Sequence, residues 1–363
     1  MIRMVDLPAL HTPIQSELDL AAEHVLGHQH FVGGPEVQAF EEAFAAWVGA
    51  RHCVTVNSGT AALMLGLMAL NLPRGAKVAT VANTFLATIE AVIWAGYDIS
   101  WVDIDPLTGL MDPSALDDVL RRERVEAVLP VHLYGAAAPM PAIIEIANRH
   151  GAQVVVDAWQ AHGTRVRTPE GLMPAAWGTR WAAYSFCPTE NLGALGDGGA
   201  ILTNDDEIAD RVRLLRHHGQ RARNESTRPG FTERLDTLQA AWLLAKLPHL
   251  ATWNDRRREL AAIYDCLLPA ALRLKNDLHG ESVFHLYTVR LPDRDNVREL
   301  LAAQGIQTDV YYPHPAYSLL PVPHPRLPAT ERLMAQVLSL PIHPALADDD
   351  VRRIAIEVVE AAT

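Results

Sequence analysis

Between residues 52 and 157 the chain alternates short apolar runs with stretches whose apolar residues recur at helical spacing. Residues 52–56, 77–81, 99–103, 127–131 and 153–156 read as strands, and 61–70, 86–95, 113–121 and 140–149 as the helices between them. A helix between two strands returns the chain to the same edge of a sheet. The strands therefore run mainly parallel, with helices covering both faces. An all-α or all-β architecture is excluded. After Asp205 the alternation stops. Helices are expected at 206–216 and 233–266, the second broken near Pro248, followed by a strand at 282–290, a helix at 294–303 and a strand at 306–311. A Pro/His-rich loop then leads to helices at 329–336 and 347–361. The expected fold is α/β: a large domain over 1–250 with a mainly parallel central sheet, and a small C-terminal α+β domain over 251–363.

A chain of 363 residues, 49% hydrophobic, can bury a large core. Its net charge of −12 disfavours nucleic acid and anionic membrane as partners. No apolar run is long enough to span a bilayer, and the N-terminus lacks a signal-peptide pattern, so a cytoplasmic location is expected. Cys53, Cys187 and Cys266 form no CxxC, and His314, His324 and His343 fit no standard zinc spacing. Only three of the 31 basic residues are lysines: Lys77, Lys246 and Lys275. Any reaction that needs a lysine amine has only these to draw on.

Three segments could carry chemistry. Asn57-Ser58-Gly59-Thr60 joins a strand to a helix, which suits either a plain N-cap or a phosphate held on free helix amides. Asp157 closes a buried strand, where a carboxylate serves as a helix cap or holds a pyridine nitrogen protonated. The run from Tyr184 to Gly199 is glycine-rich and suits a turn between strands or a close backbone approach to a ligand.

In order along the chain, GGPEV (33–37), NSGTAAL (57–63), ANTFLAT (82–88), PVHLYG (130–135), VDAWQAHG (156–163), SFCPTENLGALGDGGA (185–200), RLDTLQAA (234–241), FHLY (284–287) and LSLPIHP (338–344) resemble the DegT/DnrJ/EryC1/StrS sugar aminotransferases. The resemblance implies the fold type I architecture of pyridoxal-phosphate (PLP) enzymes, a homodimer with its site at the subunit interface, and a nucleotide-sugar or related small-molecule substrate. It implies that Gly59, Thr60 and Ser185 hold the cofactor phosphate and that Phe85 stacks on the ring. Asp157 would meet the ring nitrogen and Gln160 the ring hydroxyl, with His162 beside them. Thr232 falls where the family has an asparagine that reaches the neighbouring subunit's phosphate.

One position departs from the pattern. Where the family has the lysine that links covalently to PLP, this chain has Glu190. A carboxylate has no amine with which to form that bond. The expected function is a sugar aminotransferase-like protein without conventional transamination. It would use PLP or pyridoxamine phosphate (PMP) held noncovalently, with Glu190 and His162 as acid/base groups. Two other readings stand beside it. One is a PLP-independent pseudoenzyme or non-catalytic partner of an active paralogue, with no cofactor retained. The other is an inactive lysine mutant of an ordinary aminotransferase. Further expectations are that His132 and Tyr134 shape a pocket wall, that Cys187 serves packing, and that Arg221, Arg223 and Arg228 lie on a loop able to meet a diphosphate or to stay solvated.

Overall fold

The computed structural model describes residues 1–362. Seven strands form the central sheet: β1 (His52–Val56), β2 (Lys77–Val81), β3 (Asp98–Val102), β4 (Ala127–Leu129), β5 (Gln153–Val154, resuming as Val156–Asp157), β6 (Ala182–Ser185) and β7 (Gly199–Thr203). Their order is β3-β2-β4-β5-β6-β7-β1. Pairing is parallel from β3 through β6, carried across the β4–β5 step by a Val131–Asp157 bridge, and only β7 runs against both neighbours. The expected mainly parallel sheet is thus observed.

Alternate residues of each strand enter separate cores, as a pleated strand covered on both faces requires. Ala79, Val81, Val128, Val154, Val156, Ala182 and Ala200 face one core. Val54, Val56, Val78, Ala127, Leu129, Val155, Ala183 and Ile201 face the other. The Gly59–Ala69 helix belongs to the second core and buries eight of its eleven residues, so its sequence shows little amphipathicity. Ser58 caps it by accepting from Ala61 N–H at 3.1 Å.

The long C-terminal helical stretch breaks where Pro248 predicts. Helix Thr237–Lys246 passes through the Leu247–His249 turn into helix Leu250–Leu267. Other expectations need correction. The strand expected over 282–290 shrinks to Tyr287–Arg290, because Phe284 adopts a left-handed conformation (φ 44°) and turns the chain before it can pair. No strand forms over 306–311. Asp309 bonds locally to the Val310 amide, and only single bridges remain, Ile2–Ile306 and Asp309–Ser339. The partner of Tyr287–Arg290 is instead Val337–Leu340. The helix Gln15–His28 and the hairpin Arg165–Thr168/Gly171–Pro174 were not anticipated. Among the described residues, no helix is long and apolar enough to cross a membrane.

Candidate active site

The loops that follow β1, β2, β5 and β6 leave the sheet at one edge and converge there, as ligand-binding loops of parallel sheets do. Gly59 allows the convergence. A Cβ there would lie 2.6 Å from the Trp159 ring and 2.7 Å from Ser185 Cβ, so any side chain would drive the three loops apart. The close approach leaves the first turn of the Gly59–Ala69 helix, with Thr60, beside the Ser185 loop.

Phe85, Trp159, Gln160, Ser185, Cys187, Thr189, Glu190, Arg257, His285, Tyr311 and Tyr312 are among the residues enclosing a cavity of about 190 Å³. That is smaller than the usual pocket for a drug-sized ligand; within one chain it offers room for a ring rather than for a whole nucleotide-sugar. Phe85 is 49% exposed although it caps a helix packed in the core, and its ring stands 5.8 Å from Tyr312 and 6.2 Å from Trp159. Gln160 is oriented by the Tyr134 amide, which donates to its Oε1 at 2.6 Å, while its Nε2 donates to Tyr312 OH at 3.4 Å.

Asp157 is buried. Thr88 Oγ1 donates to Oδ2 at 2.8 Å and Trp159 N–H to Oδ1 at 3.2 Å. Burial raises its pKa from 3.8 to about 6 against the opposing pull of these bonds, because no cation faces it. A carboxylate so placed lacks the positive charge that a protonated pyridine nitrogen would supply. Together with the open face of Phe85 and the free helix start at Gly59–Thr60, this donor set fits a pyridoxal-type cofactor.

Glu190 lines the same cavity, its side chain nine-tenths buried. Burial first, and the charge of Asp157 second, push its carboxyl well above the ordinary range, while Arg257 pulls weakly the other way. It therefore holds its proton more tightly than an exposed glutamate does, and more tightly still when Asp157 is charged. Its Oε2 lies 3.5 Å from His285 Nδ1. Burial also pushes the His285 pKa well below its ordinary value, so the contact does not depend on a charged imidazole. The loop beside Glu190 is fixed through its neighbour. His285 Nδ1 meets Asn191 Oδ1 at 3.2 Å, Asn191 Nδ2 donates to Asn254 Oδ1 at 2.8 Å, and Asn254 Nδ2 donates to the His162 carbonyl at 2.7 Å. Arg257, also buried, donates to the carbonyls of Phe284, His285 and Ile342.

Arg257 and Asn254 were not among the residues the sequence singles out, and Asn191 stands there only as part of the 185–200 motif, without a role. Asn254 and Arg257 sit in a helix whose mixed polarity looks like solvent exposure. The available signal was the FHLY motif, whose His285 they surround.

Several expected residues lie elsewhere. His162 is packed among Phe44, Tyr184 and Phe186, and burial lowers its pKa to about 3. It does not line the cavity and supplies structure through its backbone carbonyl, so the acid/base role expected of it finds no support in the geometry. His132 is likewise in the core rather than on a pocket wall, its Nε2 on the Ala175 carbonyl and its Nδ1 accepting from Ala138 N–H. Cys187, expected to pack, faces the cavity. Thr232 is exposed, 2.7 Å from His218 Nε2, outside this chain's cavity. Arg221 and Arg223 lie on an exposed hairpin, Gln220–Ala222/Glu225–Ser226.

Among the described residues no lysine lines the cavity. Lys77 is paired with Glu123 and Lys275 is on the surface. Lys246 is buried, donating to the Gly193 carbonyl and lying 2.9 Å from His11 Nε2, and burial lowers its pKa to about 8.

Residues 13–359 match the model of the DegT/DnrJ/EryC1/StrS aminotransferase family. The chain belongs to this family. It is 40% identical to the erythromycin biosynthesis sensory transduction protein EryC1 of Saccharopolyspora erythraea over 95% of each chain. It is 39% identical to dTDP-3-amino-3,4,6-trideoxy-alpha-D-glucose transaminase of Streptomyces venezuelae over 99% of this chain and 96% of that one. Among solved structures, S. venezuelae DesV superposes with a TM-score of 0.94 at 39% identity, covering 99% and 98% of the two chains. NtdA of Bacillus subtilis, with bound cofactor PMP, superposes with a TM-score of 0.90 at 29% identity, covering 99% of this chain and 85% of that one. The fold is therefore that of the fold type I PLP aminotransferases, and members of the family close to this chain act on nucleotide sugars.

Proposed function

We propose that this family member processes a nucleotide-sugar or related intermediate with PLP or PMP held without a covalent bond, and that Glu190 carries the proton. The observation behind this reading is a carboxyl, nine-tenths buried, in a cofactor-type cavity that no lysine of the described chain enters.

When bound, the cofactor supplies an electron sink. The residues present divide the remaining work. The helix start at Gly59–Thr60 and the Ser185 hydroxyl would hold its phosphate. Asp157 would keep the ring nitrogen protonated, Phe85 would cover one ring face, and Gln160 would meet the ring hydroxyl. Once the Asp157 charge is compensated, the second cause raising the Glu190 pKa falls away. The carboxyl then moves toward the range in which it can both give and take a proton. Its Oε2, 3.5 Å from His285 and buried without a hydrogen-bond partner among the described residues, is the atom free to do so.

The smallness of the cavity supports a homodimer in which a second subunit completes the space for the substrate, with Thr232 and the arginine hairpin turned toward it. Sedimentation as a monomer would contradict that part. The proximity of two carboxyls favours a second reading, a protein that has lost its cofactor and serves as a partner of an active paralogue.

A UV–visible spectrum of the purified protein, taken after adding PLP or PMP and desalting, tests both readings. A retained cofactor band that borohydride does not fix to the chain is the expected result. No retained band, and no spectral change at high cofactor concentration, would sink the first reading and leave the second.

A further inference from the structure

Outside the set of residues that line the cavity, the helix Gln15–His28 presents His24 and His28, one turn apart on a single face, to Glu36 in the first turn of the helix Pro35–Val48. His24 Nδ1 lies 2.9 Å and His28 Nε2 3.1 Å from the same oxygen, Glu36 Oε1. The other oxygen, Oε2, is buried with no hydrogen-bond partner among the described residues, and the Glu36 side chain is nine-tenths buried. A charged carboxylate that crowds two imidazoles onto one oxygen and leaves the other bare is poorly satisfied by hydrogen bonds alone.

We infer that His24, His28 and Glu36 form a binding site for a divalent transition-metal ion such as Zn²⁺. The potential ligand atoms all lie within 4.8 Å of one another. Ligands around a tetrahedral ion at ~2.0–2.1 Å are about 3.3 Å apart, so the site forms with small adjustments. Two imidazoles and one carboxylate, without sulfur, select Zn²⁺, Co²⁺ or Ni²⁺ over Mg²⁺ or Ca²⁺. The ion has a way in, because the His24 side chain is 69% exposed.

The structure also shows what binding changes. The His30 amide donates to His28 Nδ1 at 3.0 Å, so His28 carries its proton on Nε2. An ion at Nε2 shifts that proton to Nδ1, which can then no longer accept, and the His30 amide is set free. Residue 30 follows Gln29, which is left-handed (φ 60°) at the helix end, and its ring is 5.4 Å from that of His28. His30 or water is then placed to fill the fourth position. The ion would staple the N-terminal helix to the helix Pro35–Val48, both of which pack on the helix Thr237–Lys246.

The test uses tag-free protein dialysed against EDTA and titrated with Co²⁺. The expected result is a saturable visible absorption at one Co²⁺ per chain, displaced by Zn²⁺, with Zn²⁺ raising the thermal midpoint. His24→Gln alters an exposed side chain and leaves the fold intact. It should weaken Co²⁺ binding by about tenfold or more, since even residues that only orient a ligand matter that much, and should abolish the Zn²⁺ effect on the midpoint. Glu36→Gln should do the same. A featureless titration, or a cobalt band that His24→Gln leaves unchanged, would overturn the assignment.

Discussion

Replacing Asp157 with Asn should make the cofactor-free protein more stable at pH 8. Asp157 is buried, and its pKa rises from 3.8 to about 6, chiefly through burial. The folded state therefore binds this proton more tightly than the unfolded chain does. Where the folded state holds more protons, stability falls as pH rises. Its contribution is complete below pH 3.8 and is lost as pH climbs to about 6. At about 1.36 kcal/mol per pH unit, the charged carboxylate costs about 3 kcal/mol above that window. An amide of the same shape removes the cost. It can still accept from Trp159 N–H, and Thr88, whose hydroxyl also lies 2.8 Å from that of Thr84, can turn its donor to Thr84 and accept from the new amide. Allowing about 1 kcal/mol for this rearrangement, Asp157→Asn should gain about 2 kcal/mol at pH 8 and lose about 1 kcal/mol below pH 4, where the wild-type carboxyl is uncharged. Urea unfolding of cofactor-free wild type and variant at both pH values measures it. The same variant should retain PMP less well. Equal stability at pH 8, with the wild type showing no decline between pH 4 and 6, would refute the electrostatic argument.

Other outcomes follow from the same geometry. Glu190→Lys should make PLP fixable to the chain by borohydride, detected as added mass, whereas the wild type should show none. Phe85→Ala should leave the thermal midpoint nearly unchanged, because the ring is half exposed, yet weaken PMP retention about threefold to tenfold through lost stacking, as read by equilibrium dialysis. Arg257→Ala should destabilise the fold by about 3–5 kcal/mol in urea unfolding, since it leaves three buried carbonyls without their donor. Unchanged stability in that variant would mean that solvent replaces the guanidinium.

The sheet was legible because each parallel strand is buried on both faces and reads as an unbroken apolar run, which the short exposed hairpin at 165–174 does not. Gly59, Phe85, Asp157, Gln160 and Ser185 were legible as a group because they end strands or lie just beyond strand ends. Asn254 and Arg257 were not, since they come from a helix nearly a hundred residues downstream of Asp157 and reach the site only through tertiary packing. His162 misled for the opposite reason. It is close in sequence to Asp157 and Gln160, but the chain turns after Ala161 and sends the ring among Phe44, Tyr184 and Phe186. The run at 306–311 reads as a strand, but a strand requires a partner, and residues 337–340 pair with 287–290 instead.

The amide chain from His285 through Asn191 to Asn254 anchors the loop at the residue after Glu190 and leaves the side chain of residue 190 without a direct hydrogen-bonding duty in it. The network that fixes this loop therefore does not rest on a hydrogen bond from the side chain at position 190. Lysine and glutamate codons differ by one base, so if the proposed function holds, a lineage would cross between covalent and noncovalent cofactor chemistry in a single substitution, and cross back, with this network left in place.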